Sequence, residues 1–334
     1  MAQKVSEYIE SEGAVDVMGK AEVFEFSNGE TFAKLCESIR SKDVFVFQPI
    51  SPSEISEDCD SKNGYRTVND NLMELLILMD ACKRASAESV SCVIPYYGYS
   101  RTDKKDQSGT PITAKLVADM LESAGAKRII TFDLHSQQIQ GFFNIPVDNL
   151  SAFYLFAEHF YDGFGIEVIV SPDSGGVARA RDLSKRINYA RRQDKRCGDK
   201  NPTAIAFGDK RRTGNDDSVD LTHIVGDVKG KNVLIADDIV DTAGSLVKVV
   251  NALKKHGAKK VYAACVHGVL SGPALERIEN SSLEKLYITD TIPLPKRVRD
   301  CKRLEVISIA KILAKAVHNI SEEKSVSELF KIDI

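Results

Sequence analysis

The chain has 334 residues, 43% of them hydrophobic and 28% charged, with a formal net charge of −3. That length suits about two globular domains with cores of their own; the charge balance gives no basic field for nucleic acid, no apolar run reaches membrane-spanning length, and the first residues lack a signal-peptide core. The seven cysteines (36, 59, 82, 92, 197, 265 and 301) form no Cys-x-x-Cys pair, which fits reduced thiols in a cytoplasmic compartment better than a disulfide framework or a zinc site.

In chain order, the first distinctive segment is 24–30, where Asn28 and Gly29 are a strong hairpin-turn signal. Phe26 there is either part of that turn or a ring on which a flat base stacks. A strand is expected over 90–95, followed by a polar loop from Ser100 to Thr110 that carries Arg101 and Thr102. Pro111 suits the first turn of the next helix. Ala114, Val117, Ala118 and Leu121 have helical spacing, and Gly125 ends the run. A strand over 127–132 then leads into Asp133, Leu134 and His135, where a strand end can present an imidazole.

A strand over 167–170 precedes Ser171, Pro172, Asp173, Ser174, Gly175 and Gly176. This is either a glycine-rich turn or a backbone nest for an anion with a carboxylate for a metal. The segment 188–202 reads as a solvated surface loop or, in a sharper reading, as a subunit or anion contact. A strand over 204–207 is followed by Gly208, Asp209 and three consecutive cations, Lys210, Arg211 and Arg212. These are a basic turn or a loop able to close over a polyphosphate.

The segment 233–245 is the most informative. A buried strand over 233–236 runs into Asp237 and Asp238, then a short loop, Asp241, Thr242, Ala243, Gly244 and Ser245, opens a helix. Unpaired amides at a helix start attract phosphate, Gly244 lets the backbone approach closely, and the hydroxyls of Thr242 and Ser245 add donors. The paired carboxylates, at the carboxyl end of a strand, accept bonds from neighbouring sugar hydroxyls or help hold Mg²⁺. Together these parts suit a 5-phosphorylated ribose. The helix through Leu246, Val249, Val250 and Leu253 stops at Gly257, and strands over 259–266 and 304–309 and a helix through His318 complete the chain. Strand–loop–helix–Gly–strand occurs twice, which implies parallel pairing in each half. The expected fold is α/β: two related domains with parallel sheets flanked by helices, over 1–148 and 149–304, with 305–334 packing back on the first.

These segments, taken in order with 69–77, 94–101, Gln140 to Phe143, Ser271 to Ala274 and Ser325 to Phe330, resemble the ribose-phosphate diphosphokinase (phosphoribosyl pyrophosphate, PRPP, synthetase) family over about 20–330. The resemblance implies duplicated type I phosphoribosyltransferase-like folds and transfer of the diphosphoryl group of ATP to the 1-hydroxyl of ribose 5-phosphate. It implies that Asp237, Asp238 and Asp241 to Ser245 hold ribose 5-phosphate, and that Lys210 and Arg212 act from a flexible catalytic loop. Phe26, Asn28, Gly29, Glu30, Arg101 and Thr102 are then the ATP residues. His135, Asp173 and Asp133 are the Mg²⁺ residues, and Ser136, Gln137, Ser325 and Ser327 a regulatory phosphate site. It also implies a homo-oligomer, commonly a hexamer, with ATP sites between subunits. The family usually has Asp, Gln and Arg where Asn28, Thr102 and Gly109 stand, and a shorter 188–202 segment. The other readings are a catalytically silent regulatory homologue and a phosphoribosyltransferase, though the latter usually has only one such domain.

Overall fold

The computed structural model describes residues 1–14, 17–54, 65–194, 201–211 and 220–330. They fall into two compact units: 1–151, 291–295 and 308–330 in the first, 152–290 and 296–307 in the second.

The first unit opens with helix α1 (Ala2–Ser11). Strands β1 (Ala21–Glu25) and β2 (Thr31–Leu35) form an antiparallel hairpin in register from Ala21 opposite Leu35 to Glu25 opposite Thr31. After β3 (Asp43–Phe47) comes a two-residue antiparallel pair, β4 (Ser53–Glu54) and β5 (Tyr65–Arg66). Helix α2 (Val68–Arg84) starts on a capping box: Thr67 Oγ accepts from the Asp70 amide at 3.2 Å, and the Asp70 carboxylate accepts from the Thr67 amide at 2.7 Å. Strand β6 (Ser89–Ile94) is buried from Val90 onward, as a strand covered on both faces must be. Helix α3 (Thr113–Ala124) buries Ala114, Val117, Ala118 and Leu121 and ends on Gly125 in the left-handed region. Strands β7 (Arg128–Phe132) and β8 (Val147–Leu150) complete a parallel sheet of order β3-β6-β7-β8. Pro111 falls outside the helix. Ile112 is the N-cap, and the Ala114 amide donates back to the Thr102 carbonyl at 3.2 Å, which fixes the start two residues later than expected.

The second unit contains α4 (Phe153–Phe160), β9 (Val168–Ser171), α5 (Val177–Gln193), β10 (Ala204–Arg211) and β11 (Asp220–Val225). It continues with β12 (Asn232–Val240), α6 (Gly244–Lys255), β13 (Lys260–Gly268), α7 (Ala274–Glu279), β14 (Lys285–Thr289), α8 (Lys296–Arg299) and β15 (Leu304–Ile307). The seven-stranded sheet has the order β11-β10-β9-β12-β13-β14-β15 and is parallel except for the β10–β11 pair. Helix α9 (Ala310–Ser321) follows in the first unit and packs on α1.

Several expected boundaries are corrected. The strand expected over 233–236 continues to Val240, so both carboxylates lie inside β12. The turn expected at 208–212 is the continuation of β10 through Arg211, paired antiparallel with β11. The first six residues of the loop expected at 188–202 belong to α5. They are fastened by Arg191, only 6% exposed, whose guanidinium donates to the carbonyls of Tyr161 at 3.0 Å and Ile166 at 2.7 Å. The strand expected over 304–309 stops at Ile307, where Ser308 Oγ accepts the Ala310 amide at 3.3 Å and starts α9. Among the described residues no helix is long and apolar enough to cross a membrane.

Candidate active site

The order of the second sheet positions the site. Strand β9 leads through α5 to β10 on one side, and β12 leads through α6 to β13 on the other. The sheet therefore changes direction between β9 and β12, and the crevice beyond the carboxyl ends of such a pair is where open α/β sheets take ligands. The loops 171–176 and 241–245 leave these two strand ends.

Asp237 and Asp238 project from β12, the fourth of the seven strands. The Asp238 side chain is 5% exposed and that of Asp237 29%. Arg179, in the first turn of α5, places Nη1 3.1 Å from Asp238 Oδ1 and 3.4 Å from Asp237 Oδ1. Burial first, and then the Asp238 charge, raise the Asp237 carboxyl well above the usual range, while Arg179 pulls it down. Two adjacent carboxylates in a low-dielectric strand end are poised to gain from hydroxyl donors or cations. Arg179 was missed by the sequence reading. The only signal was an arginine three residues beyond Gly176, at the start of a helix that follows the acidic loop.

Past Val240 the backbone turns sharply. Ala243 has φ +57, and the first helical bond of α6 runs from the Val247 amide to the Ala243 carbonyl at 3.0 Å. The amides of Gly244, Ser245 and Leu246 therefore stand ahead of the helical ladder, the usual source of anion affinity at a helix start. Thr242 and Ser245 are exposed.

In the loop after β9, Ser171 Oγ donates to the Asp173 carbonyl at 2.6 Å, and Asp173 Oδ1 accepts the Gly176 amide at 3.1 Å. One of the amides expected to form an anion nest is thus taken by Asp173 itself. A Cβ on Gly176 would fall 2.5 Å from Ser171 Oγ, so the tight turn admits only glycine without rearrangement. Lys210 lies in β10 beside a bulge, opposite Leu221 on β11, rather than in a loop. Arg212 lies outside the described residues.

The first unit holds the other expected residues. Asp133 follows β7 directly with φ +34; its amide donates to the Leu150 carbonyl at 2.9 Å and its carboxylate accepts a bond from Ser151 Oγ at 3.1 Å. That turn leaves His135 exposed. Ser136 bonds Gln138, and Gln137 Oε1 accepts Asn149 Nδ2 at 2.9 Å. Arg101 is exposed beside Thr102, whose amide donates to the Tyr99 carbonyl at 3.0 Å. In the hairpin, Phe26 and Glu30 are joined by a 2.8 Å backbone bond, Gly29 donates to the Phe26 carbonyl at 2.8 Å, and Asn28 Oδ1 accepts the Glu30 amide at 3.2 Å. Phe24, Phe26 and Phe32 form an exposed ring cluster with centroids 4.9–5.7 Å apart. Ser325 offers its carbonyl to Asn319 at 2.8 Å, and Ser327 begins a final 3-10 turn. Among the described residues no group of three or more His, Cys, Asp or Glu side chains is gathered to hold a metal.

Known proteins match this chain along its whole length. The family described as the N-terminal domain of ribose phosphate pyrophosphokinase matches residues 1–125, and the phosphoribosyl synthetase-associated domain matches residues 217–331. The chain is 46% identical to ribose-phosphate pyrophosphokinase 1 of Lactococcus lactis, covering 100% of this chain and 94% of that protein. It is 44% identical to the ribose-phosphate pyrophosphokinase of Thermotoga maritima, covering 99% and 95%. The crystal structure of phosphoribosylpyrophosphate synthetase from Mycobacterium smegmatis superposes with a TM-score of 0.80 at 35% identity, over 96% of each chain. Parallel sheets flanked by helices, with this likeness, define an α/β enzyme of the transferase class. The chain belongs to the ribose-phosphate pyrophosphokinase family.

Proposed function

We propose that this chain transfers the β,γ-diphosphoryl group of ATP to the 1-hydroxyl of ribose 5-phosphate, giving PRPP and AMP. The observation that carries this reading is the end of β12, where a buried and a half-buried acidic acceptor precede a helix start whose first amides stand ahead of the ladder. Asp237 and Asp238 accept bonds from the ribose hydroxyls. Asp241, Thr242, Ala243, Gly244 and Ser245 surround the 5-phosphate. The 1-hydroxyl oxygen bonds to the β-phosphorus and gives up its proton, and the bond from that phosphorus to the oxygen bridging the α-phosphate breaks, so AMP leaves. Such a reaction depends on positioning and charge neutralisation rather than a covalent nucleophile. Lys210 and Arg212 neutralise charge on the transferring group, and Phe26, Asn28, Gly29, Glu30, Arg101 and Thr102 hold the adenine nucleotide.

Mg²⁺ fits the available donors. It is usually bound through one or two carboxylates and keeps water and substrate phosphates as its other ligands, so it needs no preformed cluster of three side chains. Asp133, His135 and Asp173 are the residues assigned to it. When bound, it neutralises the polyphosphate and orients it for displacement. Assembly into a homo-oligomer, a hexamer by family likeness, a cytoplasmic location, and a regulatory phosphate held by Ser136, Gln137, Ser325 and Ser327 complete the proposal.

The test is to mix the purified protein with Mg²⁺, ATP and ribose 5-phosphate and to separate AMP and PRPP by chromatography. Equal formation of both, abolished in Lys210→Ala, supports the reading. AMP without PRPP refutes it, and no product with or without inorganic phosphate favours the regulatory homologue.

A further inference from the structure

The segment joining β13 to α7, together with α7 itself, bonds three consecutive residues at the root of the loop 241–245. The amides of Val269 and Leu270 both donate to the Val240 carbonyl, at 3.0 and 3.2 Å. Ser271 Oγ donates to the Asp241 carboxylate. Arg277, from α7, donates through Nη1 to the Thr242 carbonyl at 2.9 Å. The next residue is Ala243 at φ +57, a conformation that opposes any side chain bearing a Cβ and persists where its surroundings over-determine it. Arg277 also lies along the following residue, since a Cβ on Gly244 would sit 3.3 Å from its Nη1.

We infer that Ser271 and Arg277 are positioning residues that hold the Asp241–Ser245 loop in its phosphate-receiving shape and thereby set the affinity for ribose 5-phosphate. The inference rests on the reading of that loop as the ribose 5-phosphate loop. Neither side chain needs to touch the sugar. Ser271 orients the Asp241 carboxylate, and Arg277 fixes the peptide plane between Thr242 and Ala243, whose rotation would turn the Ala243 amide. None of the residues assigned to ATP takes part in this brace, which makes the two substrates separable in kinetics.

The experiment compares full-length protein carrying Ser271→Ala, Arg277→Gln or Arg277→Lys with a loop control, the double variant Thr242→Ala/Ser245→Ala, measuring the KM of each substrate, kcat and thermal melting. Ser271→Ala and Arg277→Gln are expected to raise the ribose 5-phosphate KM about tenfold, as the loss of a charge-assisted or backbone-fixing bond does, with the ATP KM held within about twofold. Arg277→Lys keeps one charged donor and recovers most of the loss. A lowered melting temperature with an unchanged ribose 5-phosphate KM, or an equal rise in both KM values, overturns the inference. If the loop control leaves the ribose 5-phosphate KM unchanged, the loop reading fails and the brace with it. If the control raises it while Ser271→Ala and Arg277→Gln do not, the brace alone fails.

Discussion

Arg179 Nη1 lies 3.1 Å from Asp238 Oδ1, so a cation at the start of α5 neutralises an anion buried in the middle of the sheet. It reaches Asp237 as well, at 3.4 Å, and so links the two strand ends that flank the site.

Removing that cation leaves the carboxylates to repel each other. Arg179→Gln is expected to destabilise the protein by about 2 kcal/mol, less than the ~3–5 kcal/mol of a fully buried pair because Asp237 is partly open to solvent. The loss should be larger at pH 8 than at pH 5, because the raised Asp237 carboxyl takes up a proton first and no longer needs a counter-charge. Thermal melts of wild type and variant at the two pH values measure this; an equal loss at both contradicts it.

His159 makes a second pH prediction. It sits among the rings of Phe160, Phe164 and Tyr287, with Nε2 3.9 Å from Glu305. Burial lowers its pKa below the ordinary 6.5, with Lys285 adding to the effect and Glu305 opposing it. The unfolded chain therefore binds this proton more readily than the folded one. The stability due to neutral His159 is intact above pH 6.5 and is lost as pH falls from there towards the lowered folded value. Denaturant midpoints between pH 7.5 and 5.5 should fall more in wild type than in His159→Phe, in steps read against a common slope.

Gly176→Ala forces a Cβ against Ser171 Oγ at 2.5 Å. Relief requires breaking the bond from Ser171 to the Asp173 carbonyl, or the one from Gly176 to the Asp173 carboxylate. The expected cost is about 1–3 kcal/mol of stability, together with a higher Mg²⁺ requirement if Asp173 serves the metal. A Mg²⁺ titration of activity, with melting curves in parallel, separates the two effects.

Phe26 is 45% exposed at the hairpin tip, so its removal leaves little core to lose. If adenine stacks on it, Phe26→Ala should raise the ATP KM by about tenfold or more, in line with ~1–3 kcal/mol per stacked base. The ribose 5-phosphate KM and the melting temperature should hardly change. A large fall in melting temperature would instead assign the ring a structural role in the hairpin.

Local patterns carried much of this fold into view. The apolar spacing of Ala114, Val117 and Leu121 with Gly125 after it located α3, and the same grammar located α6, because each signal lies within a few residues of the structure it specifies. What stayed hidden depended on distant partners. Gly208 to Arg211 look like a turn until β11 supplies the opposite strand. Arg191 looks solvated until the carbonyls of Tyr161 and Ile166 are seen to take its guanidinium. The acidic pair on β12 was legible as chemistry, whereas Arg179, 58 residues earlier in the chain than Asp237, had no local mark of its purpose.

The placement of Asp237 and Asp238 within β12 has a mechanical consequence. Paired with β9 as far as Ile235 and with β13 onward to Val240, that strand fixes the backbone from which both acceptors project. An extended backbone sends successive side chains to opposite faces, yet Arg179 Nη1 lies within 3.4 Å of both carboxylates, so the cation rather than the strand repeat holds the two acceptors together. The turn that follows is held from outside the strand, by Ser271 and Arg277. The site is in this sense a fixed jaw and a braced one, and changes that retune it without unfolding it belong on the brace.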